Sequence, residues 1–194
     1  MSVQIIENMI PAALCRTAEA AWPDPGWPYW HRYNGATGNK FGSMDRSRIP
    51  PACIAALDAL AIAVIPHIGD SFIDYDLHAA GMHMMPPGGF LARHLDAERH
   101  PIRPWRRTHS IVLFVATIGE SNGGQLVLER QGCCLSPISN VTVIFETKQE
   151  WHEVLRTSNQ SPYRKTLALF AWEHGECADA KACADFSRGQ TSAS

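Results

Sequence analysis

No stretch of the 194 residues is apolar over the roughly twenty positions that a membrane-spanning helix needs, and the N-terminal MSVQIIENMIPAALC has no basic segment ahead of an apolar core. Neither a membrane partner nor a secretory leader is expected, and the cytoplasm is the expected compartment. An excess of one charge is also missing. The formal net charge is −2 with nine histidines, so no global field points to nucleic acid or a lipid surface. The six cysteines include no CxxC pair, which argues against a zinc knuckle. Cys15 and Cys53 sit in helix-like apolar contexts, Cys133 and Cys134 are adjacent, and Cys177 and Cys183 lie in a polar tail. Reduced, structurally idle thiols are the expectation. There is no internal repeat.

What is present fits one domain with enough chain for a full core. PAALCRTAEAAW has helical spacing and stops before the turn-rich PDPGWP. WPYWHRYNGATGNKFGSMDRSR mixes aromatics with turn formers and reads as a long loop. IPPACIAALDALAIAVIPHIGD predicts a helix, with prolines at its start, apolar Ile54, Leu57, Leu60 and Val64, and a stop at Pro66. From residue 71 the period becomes two. SFIDYDLHA, GMHMM, GFLARHLD, HSIVLFVAT, GGQLVLE, NVTVIFET, EWHEVLR and RKTLALFAWE are short strand-like runs separated by Gly, Pro, Asn and Ser. The division expected is an N-terminal helical and loop segment, 1–70, packing on a β core, 71–174, followed by a polar tail, 175–194. The fold class is mainly β, a sandwich or barrel capped by N-terminal helices.

GGFLARHLDAERHP carries the chemistry. In a strand, residues i and i+2 point the same way, so His94 and Asp96 share a face. They are either a metal pair or an accidental surface pair. His152, directly after the apolar NVTVIF run, is the best third ligand. Two imidazoles and one carboxylate make a facial triad with three open positions, which suits Fe(II) oxygen chemistry.

The surroundings add a resemblance. PPGGFLARHLD, RTHSIVLFV, NGGQLVL, LSPISNVTVIF, HEV and RKTLALFAW, in this order from about residue 82 to 172, resemble the Fe(II)/2-oxoglutarate-dependent dioxygenases, most closely the prolyl-hydroxylase-like branch. The resemblance implies a double-stranded β-helix (jelly roll) with iron at its open end. It implies His94, Asp96 and His152 as metal ligands, and Fe(II), 2-oxoglutarate and O2 as cofactors. It also implies Arg164 as the clamp on the far carboxylate of 2-oxoglutarate, with a planar fork suited to that task. Thr166 shares the face of Arg164; Lys165 points the other way. Tyrosines that hold the cosubstrate in the family are replaced here by Met84 or Met85 and by Phe114, none of which donates a strong hydrogen bond. His83, Ser110 or Thr166 must then complete the pocket. Asp96 favours hydroxylation over halogenation, because relatives that halogenate lack the carboxylate.

For the substrate, AERHPIRPWRRTH places Trp105, Arg106 and Arg107 close behind the iron pair, and Trp151 precedes the distal histidine. They form a candidate binding mouth for a carboxylate or phosphate. A free amino acid, a small metabolite or a peptide fits the size of the chain. The dealkylating branch that acts on nucleic acid carries a second arginine where this chain has Phe170, which argues against that substrate. The competing reading is a cupin-like, metal-binding jelly roll, either a binding protein or an isomerase, without oxygenase activity.

Overall fold

The computed structural model describes residues 3–75, 80–100 and 102–175. Asp76 and Leu77, and the tail from residue 176 with Cys177 and Cys183, lie outside the described residues. The chain order is β1 (Gln4–Glu7), α1 (Ala12–Ala20), β2 (His31–Gly35), β3 (Gly38–Ser43), α2 (Pro51–Ala63), β4 (Phe72–Ile73), β5 (Gly81–Met85) and β6 (Phe90–His94). It continues with β7 (Trp105–Phe114), β8 (Leu126–Leu128), β9 (Cys133–Leu135), β10 (Val141–Glu146), β11 (His152–Val154) and β12 (Arg164–His174).

All twelve strands join one antiparallel sheet in the order β1-β10-β7-β12-β5-β3-β6-β11-β8-β9, with β2 on β3 and β4 on β12. The sheet curls on itself into the double-stranded β-helix expected from the strand pattern. Its two faces have separate jobs, set by strand alternation. On β7 and β12, Ile111, Leu113, Leu167, Leu169 and Ala171 turn outward and bury against α2 residues Cys53, Leu57 and Leu60. The intervening residues turn into the barrel, where Phe114, Met85, Leu126, Leu128, Val143 and Phe145 form a second apolar cluster. α2 begins where Pro50 and Pro51 need no intrahelical N–H partners, and it runs as far as Ala63.

The stretch read as a long loop is instead the β2–β3 hairpin, closed by Ala36-Thr37 between Gly35 and Gly38. β3 enters the sheet between β5 and β6: Gly38 and Asn39 pair with Leu91 and Phe90, and Phe41 to Ser43 pair with Met84 to Met82. Its low apolar content concealed it, because two glycines and one buried Phe41 supply the whole pattern. β1 and β9 were not legible either; they are short edge strands on β10 and β8.

Gly123 and Gly124 build the turn into β8, both at positive φ. A Cβ at Gly123 would lie 2.2 Å from the Arg156 carbonyl oxygen, so the loop needs glycine for both backbone conformation and close approach. Gly123→Ala should therefore lower stability by about 1–3 kcal/mol. A urea midpoint equal to wild type would show that this contact relaxes freely.

Candidate active site

β6 ends at His94 and β11 begins at His152, and the two residues face each other across the ladder. A register shift follows immediately, between His152 and Val154. The rings lie 4.2 Å apart by their centroids. Asp96, two residues beyond His94, turns its carboxylate back toward both rings, with Oδ1 3.8 Å from His94 Nε2 and Oδ2 3.8 Å from His152 Nε2. Those gaps are too long for hydrogen bonds but lie within the span of one ion with bonds of about 2.1 Å. One donor atom from each of the three residues lies within 4.8 Å of the others.

The imidazoles are oriented by their own strands. His94 Nδ1 bonds the Ala92 carbonyl at 2.9 Å and His152 Nδ1 bonds the Glu150 carbonyl at 3.1 Å. A carbonyl only accepts, so each Nδ1 carries the proton and each Nε2 offers a lone pair. Burial, followed by the neighbouring His152, lowers the His94 pKa and favours the neutral form that ligates.

Asp96 is held from the opposite side by β7. Ser110 Oγ donates to its Oδ2 at 2.5 Å, and Arg107 Nη1 stands 3.4 Å from its Oδ1. Strict alternation would put Arg107 and Ser110 on opposite faces. A bulge prevents that: Ala171 pairs with His109 while Trp172 pairs with Arg107, skipping Thr108. Arg107 is thereby turned inward and buried, with its guanidinium 3.6 Å from the centre of the Phe170 ring. The loop after Asp96 is pinned by a polar cluster that sequence reading missed. His100 Nδ1 accepts the backbone N–H groups of Ile102 and Arg103, and Arg103 donates to the buried Asp74 at 3.1 Å.

The triad opens into a cavity of about 330 Å³, with Ser110, Arg107, Arg164 and Thr166 also on its wall. Arg164 is buried at the start of β12 and donates from Nε to the Gly124 carbonyl at 2.8 Å. No described carboxylate pairs with it. Burial pushes its pKa down to about 10, so it remains charged at neutral pH. Gly124 is needed beside it, since a Cβ there would stand 3.3 Å from Arg164 Cδ. Thr166, two residues on, is buried on the same face. Of the methionines in β5, Met84 packs with the helices and only Met85 borders the cavity. Phe114 lies under the Arg164 guanidinium, 5.1 Å from ring centre to Cζ.

Three residues expected near the substrate are placed elsewhere. Arg106 points outward and binds Glu173. Trp105 packs edge-on against Phe72, with centroids 4.8 Å apart. Trp151 is partly exposed under the Arg93 guanidinium, 4.0 Å from its ring centre. None of the three borders the cavity. Two residues that do, Tyr33 and Lys40, come from the unrecognised hairpin. The GATG turn flanked by short polar runs was the one signal that could have revealed them.

This donor set fits an iron centre beside an anion-binding arginine: two imidazoles, one carboxylate, and a buried cation with no counter-charge among the described residues. Comparison with known proteins agrees. Residues 80–172 match the family model of the 2OG-Fe(II) oxygenase superfamily, whose members use Fe(II), 2-oxoglutarate and O2. No curated protein sequence matches the chain. Among solved structures, the chain is similar to a Pseudomonas putida prolyl-4-hydroxylase, with a TM-score of 0.64, 24% identity, and coverage of 90% of this chain and 93% of that one. A viral collagen prolyl hydroxylase from Paramecium Bursaria Chlorella virus-1, solved with 2-oxoglutarate, gives a TM-score of 0.61 at 12% identity, covering 89% and 96%. A Trichoplax adhaerens prolyl hydroxylase, in complex with a hypoxia inducible factor peptide fragment, gives 0.61 at 16% identity, covering 94% and 86%. At these identities the likenesses establish the fold, and the family match covers the strands that carry the triad and Arg164. Residues 80–172, the segment that carries the triad and Arg164, match the 2OG-Fe(II) oxygenase superfamily, and this match supports an oxygenase enzyme.

Proposed function

We propose that the protein hydroxylates an amino acid, a peptide or another small metabolite, and releases succinate and CO2 from 2-oxoglutarate. The observation that carries this reading is the placement of two imidazole Nε2 atoms and the Asp96 carboxylate in the same cavity as the Arg164 guanidinium, which pairs with no described carboxylate. His94, Asp96 and His152 would hold Fe(II), and Arg164 with Thr166 would hold the far carboxylate of 2-oxoglutarate. When bound, these groups supply oxidative decarboxylation of the cosubstrate by O2, with one oxygen atom going to succinate and one to a substrate C–H bond.

The protein's own part is orientation. The Ala92 and Glu150 carbonyls fix the two imidazole tautomers. Ser110 and Arg107 fix Asp96 and lower the cost of its negative charge. Both residues border the cavity, yet their polar atoms are directed at Asp96, so we assign them to supporting the metal site. The apolar wall of Met85, Leu91, Leu126 and Phe145 keeps water away from the reacting centre. At about 330 Å³ the cavity is at the small end for ligand sites, which favours a compact substrate or a single inserted side chain. We place the enzyme in the cytoplasm. The buried reduced thiols of Cys15 and Cys53 support this, and no described helix is long and apolar enough to cross a membrane.

His94→Ala and His152→Ala should each abolish Fe(II)-dependent succinate formation from 2-oxoglutarate; near-wild-type turnover in either would sink the ligand assignment. Ser110→Ala should weaken metal binding by roughly 10- to 100-fold, read by metal titration, because Asp96 loses its hydroxyl donor. Arg164→Met should leave the Tm of the ligand-free protein within a few degrees of wild type, since it loses one hydrogen bond to the Gly124 carbonyl but also removes a desolvated charge that no described carboxylate balances. The same variant should abolish the stabilisation that 2-oxoglutarate gives in the presence of Mn(II). A retained 2-oxoglutarate shift would move the anchor elsewhere.

A further inference from the structure

The cavity contains a second cation that the triad and Arg164 leave unexplained. Lys40 lies in β3 and lines the cavity. It makes no hydrogen bond or salt bridge with any described residue. Its ammonium lies 5.4 Å from the centre of the Tyr33 ring, its cross-strand neighbour on the outer hairpin strand. A lysine could escape to solvent on its four-carbon stem, so its retention on a cavity wall without a counter-ion calls for an anion from outside the chain.

Register shows where that anion would sit. Phe41 pairs with Met84 across β3 and β5, and Arg164 pairs with Met85 across β5 and β12. Lys40 is therefore level with Met85, and Lys40, Met85 and Arg164 form one row across three neighbouring strands. All three border the cavity. The Met85 side chain, between the two cations, has no charge and no hydrogen-bond donor. Lys40 is also close enough to sense Asp96 and His94 at one end of the cavity and Arg164 at the other. Burial lowers its pKa first, and the nearby Arg164 lowers it further, while Asp96 raises it. His83, half-buried on the intervening strand β5, has its pKa lowered by desolvation and by both cations, so it does not add a third charge.

We propose that Lys40 is a second cationic contact for 2-oxoglutarate, and that with Arg164 it forms a two-cation cradle for the dianion across the apolar Met85. This rests on the reading of the cavity as a cosubstrate site. It also answers how a pocket with methionine and phenylalanine in place of donor side chains holds a dicarboxylate. The missing donor comes from the N-terminal hairpin rather than from the core strands.

The test is the affinity of Mn(II)-loaded protein for 2-oxoglutarate, read by calorimetry and by Tm shift, in wild type, Lys40→Met, Lys40→Arg and Arg164→Met. Wild type should bind 2-oxoglutarate; absence of binding would sink the cosubstrate reading itself. Lys40→Met should bind it about tenfold or more weakly, as expected for loss of one charge-assisted contact, with Mn(II) affinity within about twofold of wild type. Lys40→Arg should recover most of the loss. A Lys40→Met loss below about twofold would overturn the proposal and leave Lys40 as a minor contributor to the local field. So would a Lys40→Arg variant as weak as Lys40→Met, or a parallel loss of Mn(II) affinity. If Lys40→Met fails to fold, as judged by its ligand-free Tm, Lys40→Gln is measured in its place against the same criteria.

Discussion

The active centre depends on the pairing of β7 with β12 at the middle of the sheet, from Thr166 opposite Phe114 to His174 opposite Trp105. One face of this pair is apolar and anchored to α2 through Leu113, Leu167 and Leu169. The other face carries Ser110, Arg107, Arg164 and Thr166. A rigid, well-covered back is what allows the inner face to hold polar groups at fixed positions. The single bulge at Thr108 gives this pair its most consequential local feature. Without it, Arg107 would point away from Asp96, and the carboxylate would lose a buried counter-charge.

Electrostatics give the cavity its direction. Among the described residues Asp96 is the one carboxylate on its wall, set against Lys40, Arg107 and Arg164. Arg107 is matched to Asp96, and the other two cations pair with no carboxylate among the described residues. Removing such charges from water opposes folding, and the lowered pKa values of Lys40 and Arg164 reflect that cost. The barrel tolerates it because the apolar burial on both faces of the sheet is extensive. An anionic ligand relieves the strain, so the same arrangement that weakens the ligand-free protein favours binding.

Legibility followed the strength of local patterning. β5 to β8 and β10 to β12 could be read because each alternates or runs apolar over several residues between turn formers. His94 and Asp96 were legible because the strand period alone places them together, and the position of His152 after an apolar run made it the natural third ligand. The hairpin β2–β3 was not legible, because Gly38, Asn39, Lys40, Gly42 and Ser43 carry almost no apolar signal. Its strand character comes from pairing with β5 and β6, whose residues lie about forty or more positions away. Lys40 was therefore hidden along with the strand that bears it.

The sequence by itself determined the β-rich class, the covering helices, the HxD pair, the distal histidine and the basic residue on the last strand. The first four are properties of period, turn chemistry and order along the chain; the basic residue was singled out by the family resemblance. Tertiary structure decided which of the arginines and tryptophans after Asp96 face the cavity, through a bulge that reverses the expected side of Arg107 and leaves Arg106 outside. It also decided that Ser110 serves Asp96, that a glycine pair makes room for Arg164, and that a lysine from the N-terminal hairpin stands level with that arginine. Each of those outcomes depends on register between distant strands, and register is set by the packing of the whole sheet rather than by any one segment.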